Sequence, residues 1–299
     1  MHSGFRRNHA KGVAVSGFFE SNGQGTRLSK ATVFRTGRTK VTGRFSLGGG
    51  DPYSADAPDK VRGLGLLFQL PDGEQWRTAM ASLPVFLAKN PQGFYDLLIA
   101  SRPDPQTRQP DPEKMAAFLA RYPETGQALK IIQSHPVSSG FENTTFNSLN
   151  TFRFVGASDT SIPVRWSMVP VQPFAAPDAT ANKNYLFDAL IAGIHQHPLQ
   201  WHLIVTIGRS GDATDDASRS WPAEREKVDV GTLTLESVES DDTSVVRDIV
   251  FDPLVLPAGI APSDDPLLSA RSAVYSESYT RRTSEAKTPS AITPSEVRK

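Results

Sequence analysis

Along the first third of the chain, apolar and polar positions alternate in short runs separated by Gly, Asn, Pro and Asp. "GVAVSGFF" (12–19), "KATVFRTG" (30–37), "TKVTGRFSL" (39–47), "GLGLLFQL" (63–70) and "QWRTAMAS" (75–82) are rich in β-branched and aromatic residues. That pattern predicts β-strands. The run "GGGDPYSADAPDK" (48–60) is too long for a hairpin turn, and a loop of that size inside a packed domain suggests a function.

From 91 to 134 the spacing becomes helical, in "PQGFYDLLIAS" and "PEKMAAFLARYPETGQALKIIQS", with Pro at first-turn positions. Strand patterns return at 150–156 and 162–170, a helix pattern at 184–196, and strands again at 201–208 and 231–238. About nine strands with helices in blocks predict an antiparallel α+β fold, closed into a barrel. A last helix is expected to start with Asp265 as N-cap and Pro266 at its first position. One domain over 1–290 is expected, with an irregular Pro/Ser/Thr-rich tail over 291–299.

Composition removes several classes of chemistry. The 299 residues include no cysteine, so disulfides and thiolate sites are excluded. The 32 basic residues balance 32 acidic ones, so no bulk field favours nucleic acid or an anionic membrane. No apolar run approaches the ~20 residues of a membrane span. The start "MHSGFRRNHAKG" has no signal-peptide hydrophobic stretch. An abrupt entry into patterned sequence fits a removed leader, which would favour the periplasm over the cytoplasm. The absence of cysteine is compatible with both.

The last helix carries an unusual stripe. Arg271, Tyr275, Tyr279 and Arg282 fall at i, i+4, i+8 and i+11, on one face. A neighbouring guanidinium favours a phenolate over a phenol, and a tyrosinate can ligate haem iron. Arg282 lies about 10 Å further along the axis, where a guanidinium suits a carboxylate of a porphyrin. Two half-buried tyrosines beside arginines would give the same spacing without any ligand. His195, His197 and His202 are close in sequence, but i and i+2 do not share a helix face and Pro198 interrupts, so a metal site is not expected there. "GGGD" lacks a following GK[ST] and reads as a turn.

Longer segments resemble the catalase superfamily. "FDPLVLPAGIAPSDDPLLSARSAVYSESYTRR" is similar to its proximal haem segment, which implies that Tyr275 is the axial ligand of iron, Arg271 its hydrogen-bonding partner and Arg282 a propionate contact. Tyr279 stands where typical catalases carry a His. "FRRNHAKGVAVSGFFE" resembles the distal segment, implying His9 as the catalytic imidazole and Arg6 as a propionate ligand. "VTGRFSLGGG" resembles the "VRFST" strand, placing Arg44 on a propionate and Ser46 beside His9. "SADAPDKVRGLGLLFQLPDGEQW" and "LPVFLAKNPQGF" continue the frame in order, the latter placing Phe94 near the distal cavity. The resemblance implies a closed antiparallel barrel of about eight strands with peripheral helices, and haem b between the barrel and the last helix. The family's "GNNTP" is replaced by "AMASLP", so Ala81 stands for the distal Asn and Ser82 for its neighbour. The long arms of large catalases have no counterpart here, so the chain is most similar to short catalase-related peroxidases.

What the resemblance implies is a haem peroxidase with weak catalase activity. His9 would move the peroxide proton, Ser46 would orient His9, and a small organic reductant would complete the cycle. The peroxide would be hydrogen peroxide or an organic hydroperoxide. A hydroperoxide isomerase or lyase, similar to small allene oxide synthases, is the second reading, and a non-enzymatic haem carrier the third. A homodimer is the assembly considered.

Overall fold

The computed structural model describes residues 2–296 apart from residue 179, so 297–299 of the anticipated tail lie outside the described residues. Strand β1 (Gly12–Ser21) turns Val13, Val15 and Phe19 to the interior. The segment 30–37, expected as a strand, is not one. Residues Thr32–Phe34 form a 3₁₀ turn, and the next strand starts only at Gly37. Val33 and Phe34 are fully buried, and the Phe34 ring lies 6.0 Å from Trp76 and 5.0 Å from Phe154. A β-rich composition there marks a plug of apolar side chains rather than a ladder, because tertiary packing overrides local propensity.

Strands β2 (Gly37–Leu47), β3 (Arg62–Gln69) and β4 (Gln75–Ala81) follow as an antiparallel meander. Helices α1 (Pro91–Ala100), α2 (Pro112–Arg121) and α3 (Pro123–Ser134) form a block to one side. Each begins at a proline, and the Asn90 and Asp111 side chains cap the first two. The short β5 (Phe146–Asn147), which no sequence pattern announced, precedes β6 (Phe152–Val155) and β7 (Ser161–Pro170). Then come α4 (Tyr185–Gln196), β8 (Leu199–Ile207), β9 (Lys227–Glu239), a three-residue β10 (Ile260–Pro262) and α5 (Pro266–Thr283).

Strand β1 pairs with β2 and β9, β9 with β8, β8 with β7, β7 with β5, β5 with β4, and β4 with β3. The ring therefore closes on eight strands, with β6 and β10 appended to β7. Closure removes the free edges that an open sheet would expose. The interior is aromatic. Phe68 stacks on Trp76 at 4.7 Å, Trp76 meets Trp166 at 5.1 Å, and Phe45 meets Phe141, Phe146 and Trp201. Burial alternates along β4, so Trp76, Thr78 and Met80 face in while Ala79 and Ala81 face out.

Two features of this barrel create a site on its outside. First, a separate apolar patch covers the outer face of β1–β4, where Val246 and Phe251 pack on Ala14 and Leu67. Second, β4 pairs with β5 only at Ala81, so most of that edge of β4 is open to other partners. The segment before α5 and α5 itself use this edge: Arg77 N–H donates to Val255 O at 2.9 Å, and the Ala79 carbonyl accepts from Arg271 at 2.9 Å.

Candidate active site

Register on the outer face of the barrel sets the first half of the site. Gly12 lies opposite Ser46, Ser46 opposite Gly63, and Gly63 opposite Ala81. These four form one cross-strand row of small residues. His9 precedes β1 and lies over this row, its Nδ1 3.0 Å from Ser46 Oγ. A Cβ on Gly63 would stand 2.9 Å from both Nδ1 and Ser46 Oγ, so only glycine leaves room for the ring. With Nδ1 engaged by the serine, Nε2 is the nitrogen left for a ligand. The next residue across the row, Ala81, offers a methyl group and no donor.

Burial pushes the His9 imidazole down to about 4, and the nearby Arg44, Arg6 and Arg271 add to the effect. At neutral pH this ring is a free base, able to accept a proton. The Ser82 hydroxyl accepts from the Arg62 amide at 3.0 Å, and Ser82 N–H donates to Arg62 O at 2.9 Å.

The second half comes from α5. Asp265 caps the helix by accepting from Leu267 N–H at 2.9 Å, and its other oxygen accepts from the Asn150 amide at 2.7 Å. The Asn150 oxygen in turn accepts from Arg271 Nη1, and Arg271 Nη2 donates to Tyr275 Oη at 3.1 Å. A chain of polar groups thus runs from the helix cap to the phenol and fixes Arg271 by three partners. Burial pushes the Asp265 carboxyl up, while the Asn150 and Leu267 hydrogen bonds pull the other way. Asn150 carried no signal in the sequence reading. It opened the strand expected over 150–156, which starts only at Phe152, and only its contacts single it out.

The third component is positive charge. Arg6 donates to the carbonyls of Arg247, Val246 and Ile249, at 3.2, 3.1 and 2.8 Å. Arg282 is buried, reaches the same Ile249 carbonyl at 3.5 Å and lies over the Tyr279 ring at 4.9 Å. Its Nε is buried without a partner. Neither guanidinium makes an ion pair among the described residues. Burial, followed by repulsion from Arg44 and Arg282, pushes Arg6 well below the usual guanidinium range; burial and Arg44 push Arg282 to about 10. Buried cations without counter-ions are costly unless an anion joins them. Arg44 differs, because it is paired with Asp241 at 2.8 Å.

The structure therefore joins His9 to Arg44 and Ser46, holds Tyr275 on Arg271, and brings Arg6 and Arg282 to the same Ile249 carbonyl, with Tyr279 beside Arg282. Phe94 belongs to the helical block, where its ring meets Phe86 at 5.0 Å. His202 faces Asp229 at 3.0 Å where β8 pairs with β9, and no group of three His, Asp or Glu side chains able to hold a metal occurs among the described residues. A floor of glycine and alanine, a phenol held by a guanidinium, and two arginines without an ion-pair partner among the described residues, Arg282 buried and Arg6 half-buried, suit a flat, iron-bearing ring with carboxylate arms. Tyr275 Oη would be the oxygen for the metal, and Arg6 and Arg282 would be the donors for the arms.

Comparisons with known proteins agree on one family. The family model described as Catalase matches residues 5–289. The chain is 38% identical over 284 residues to the catalase-related peroxidase of Synechococcus elongatus, covering 94% of this chain and 84% of that protein. It is 32% identical over 285 residues to the catalase-related peroxidase of Mycolicibacterium paratuberculosis, covering 94% and 90%. The crystal structure of a fungal catalase superposes with a TM-score of 0.83 at 20% identity, over 94% of this chain and 60% of that one.

Proposed function

Since this chain belongs to the catalase family, we propose that it is a haem peroxidase reducing hydrogen peroxide or an organic hydroperoxide with a small organic donor, and only weakly a catalase. The observation that carries this reading is the pairing of a neutral, serine-bound imidazole with a guanidinium-bound phenol and two arginines lacking carboxylates. When bound, haem would supply the redox chemistry at its iron.

The chain's own groups do the rest. His9 is unprotonated at neutral pH, so Nε2 accepts the peroxide proton and returns it to the departing oxygen as water or an alcohol leaves. Ser46 holds Nδ1 and so fixes which nitrogen faces the substrate. Arg271 donates to the Tyr275 oxygen and holds it in position. Arg6 and Arg282 anchor the carboxylate arms. Ala81 supplies no amide beside His9, so a second peroxide lacks a partner for its own proton. That asymmetry supports peroxidase over catalase activity.

The test is spectroscopic first. The haem-loaded protein is expected to show a ferric, tyrosinate-type absorption spectrum that Tyr275→Phe abolishes or converts. Fed a lipid hydroperoxide and a reducing dye, it is expected to give alcohol and oxidised dye. A rearranged product without dye oxidation would replace this reading with the isomerase one. Retention of an unchanged spectrum in Tyr275→Phe would remove Tyr275 as ligand.

A further inference from the structure

We infer that Asp241 and Arg44 form a clamp on the backbone of His9, making Asp241 a positioning residue for the imidazole. The role of His9 rests on the function proposed above; the clamp itself does not.

The hydrogen-bond inventory of Arg44 comes first. Its Nε faces both Asp241 oxygens, at 3.2 and 3.0 Å, and Nη2 donates to Asp241 Oδ2 at 2.8 Å. Nη2 also donates to Ala10 O at 3.0 Å, and Nη1 donates to His9 O at 2.8 Å. A guanidinium has five N–H donors in a fixed fork, so a single Nη1 hydrogen remains uncommitted. Arg44 and Asp241 are both buried, at 4% and 5% exposure. The two-pronged contact fixes the plane of the guanidinium, and that plane aims the remaining donors at two successive carbonyls.

Those carbonyls belong to the residues that need holding. His9 has φ 57°, in the left-handed region that disfavours a side chain. Its conformation persists because its neighbours impose it. Asn8 Oδ1 accepts from His9 N–H at 3.0 Å, and Gly49 O accepts from Ala10 N–H at 3.0 Å. Arg44 takes both remaining carbonyls. The strand accommodates this only with glycine at 12, since a Cβ there would fall 2.3 Å from Arg44 Cζ. Ser46, two residues further along β2, then fixes the ring itself. One strand thus secures His9 at backbone and side chain, through outward positions of the same face. Arg6 and Arg282, by contrast, bind only carbonyls and have donors to spare.

The test uses the full chain with histidines labelled with 15N, free of haem. Asp241→Asn keeps the shape and removes the charge. It is expected to shift or split the His9 resonances while the other histidines stay unchanged. Asp241→Glu keeps the charge but displaces the carboxylate, and is expected to shift the His9 resonances in a fold intact by circular dichroism. Unchanged His9 resonances in both variants would overturn the clamp. Binding of metal-free protoporphyrin tests the haem reading separately. Arg6→Gln and Arg282→Gln are expected to weaken it about tenfold or more. Failure of the unaltered protein to bind porphyrin would sink the haem reading instead, while the His9 spectra would still decide the clamp.

Discussion

At the residue scale, the lowered proton affinity of His9 has consequences for both stability and rate. In the unfolded chain an imidazole takes a proton near pH 6.5; in the fold it waits until about pH 4. Between those values the unfolded state binds more protons, so stability rises with pH across the window and falls as acid is added. For the haem-free protein, the loss from pH 6.5 to 4 is expected to be shallower in His9→Gln, by about 2 kcal/mol after allowance for partial exposure. Urea denaturation across that range measures it, and equal slopes in both proteins would show that His9 is not held uncharged. Anionic arms bound at Arg6 and Arg282 would cancel part of the repulsion on His9. The acid limb of kcat/KM for peroxide in the loaded enzyme is therefore expected between pH 4 and 6.5.

At the scale of elements, one β-row is expected to set the balance between peroxidase and catalase activity. Gly12, Ser46, Gly63 and Ala81 are neighbours only because four strands pair in one register. Ala81→Asn adds an amide on the same outward face, next to the imidazole. It is expected to raise oxygen release from hydrogen peroxide about tenfold relative to dye oxidation. An unchanged ratio, measured on one haem-loaded sample, would mean that something other than this position limits disproportionation. The sequence made this row partly legible. "HAKG", "GRFS" and "RGLG" carry patterns that resemble the family's, and short β-branched and aromatic runs bounded by turn residues gave the strands. What stayed hidden was whatever depends on long-range pairing. The two-residue β5 and three-residue β10 are too short for any periodicity, and 30–37 has strand composition but plugs the barrel instead. Asp241 lies in "ESDDTS", a run that reads as solvated loop until its carboxylate is seen inside the arginine cluster.

For the whole molecule, the site depends on the two ends of the chain meeting. The distal half starts at the amino terminus and the phenol lies close to the carboxyl terminus, so stability of the site requires a closure that local contacts cannot provide. The described residues after α5 provide it. Glu285 accepts from Gly4 N–H at 2.9 Å and pairs with Arg7, and Ser3 Oγ donates to Ala286 O at 3.0 Å. Thr288 and Pro289 carbonyls accept from Arg247 and Tyr53 at 2.8 and 3.1 Å. Ile292 then enters the main core at 2% exposure. Polar contacts of this kind are individually weak, whereas a buried Ile is a strong anchor. Ile292→Ala is therefore expected to cost about 3 kcal/mol and to speed transfer of bound haem to an acceptor protein. Glu285→Gln is expected to cost less than about 1 kcal/mol. Urea denaturation together with the rate of haem transfer separates the two. If Ile292→Ala leaves both unchanged, the closing segment is an appendage, and the arginines beneath it hold their places without help from the carboxyl end.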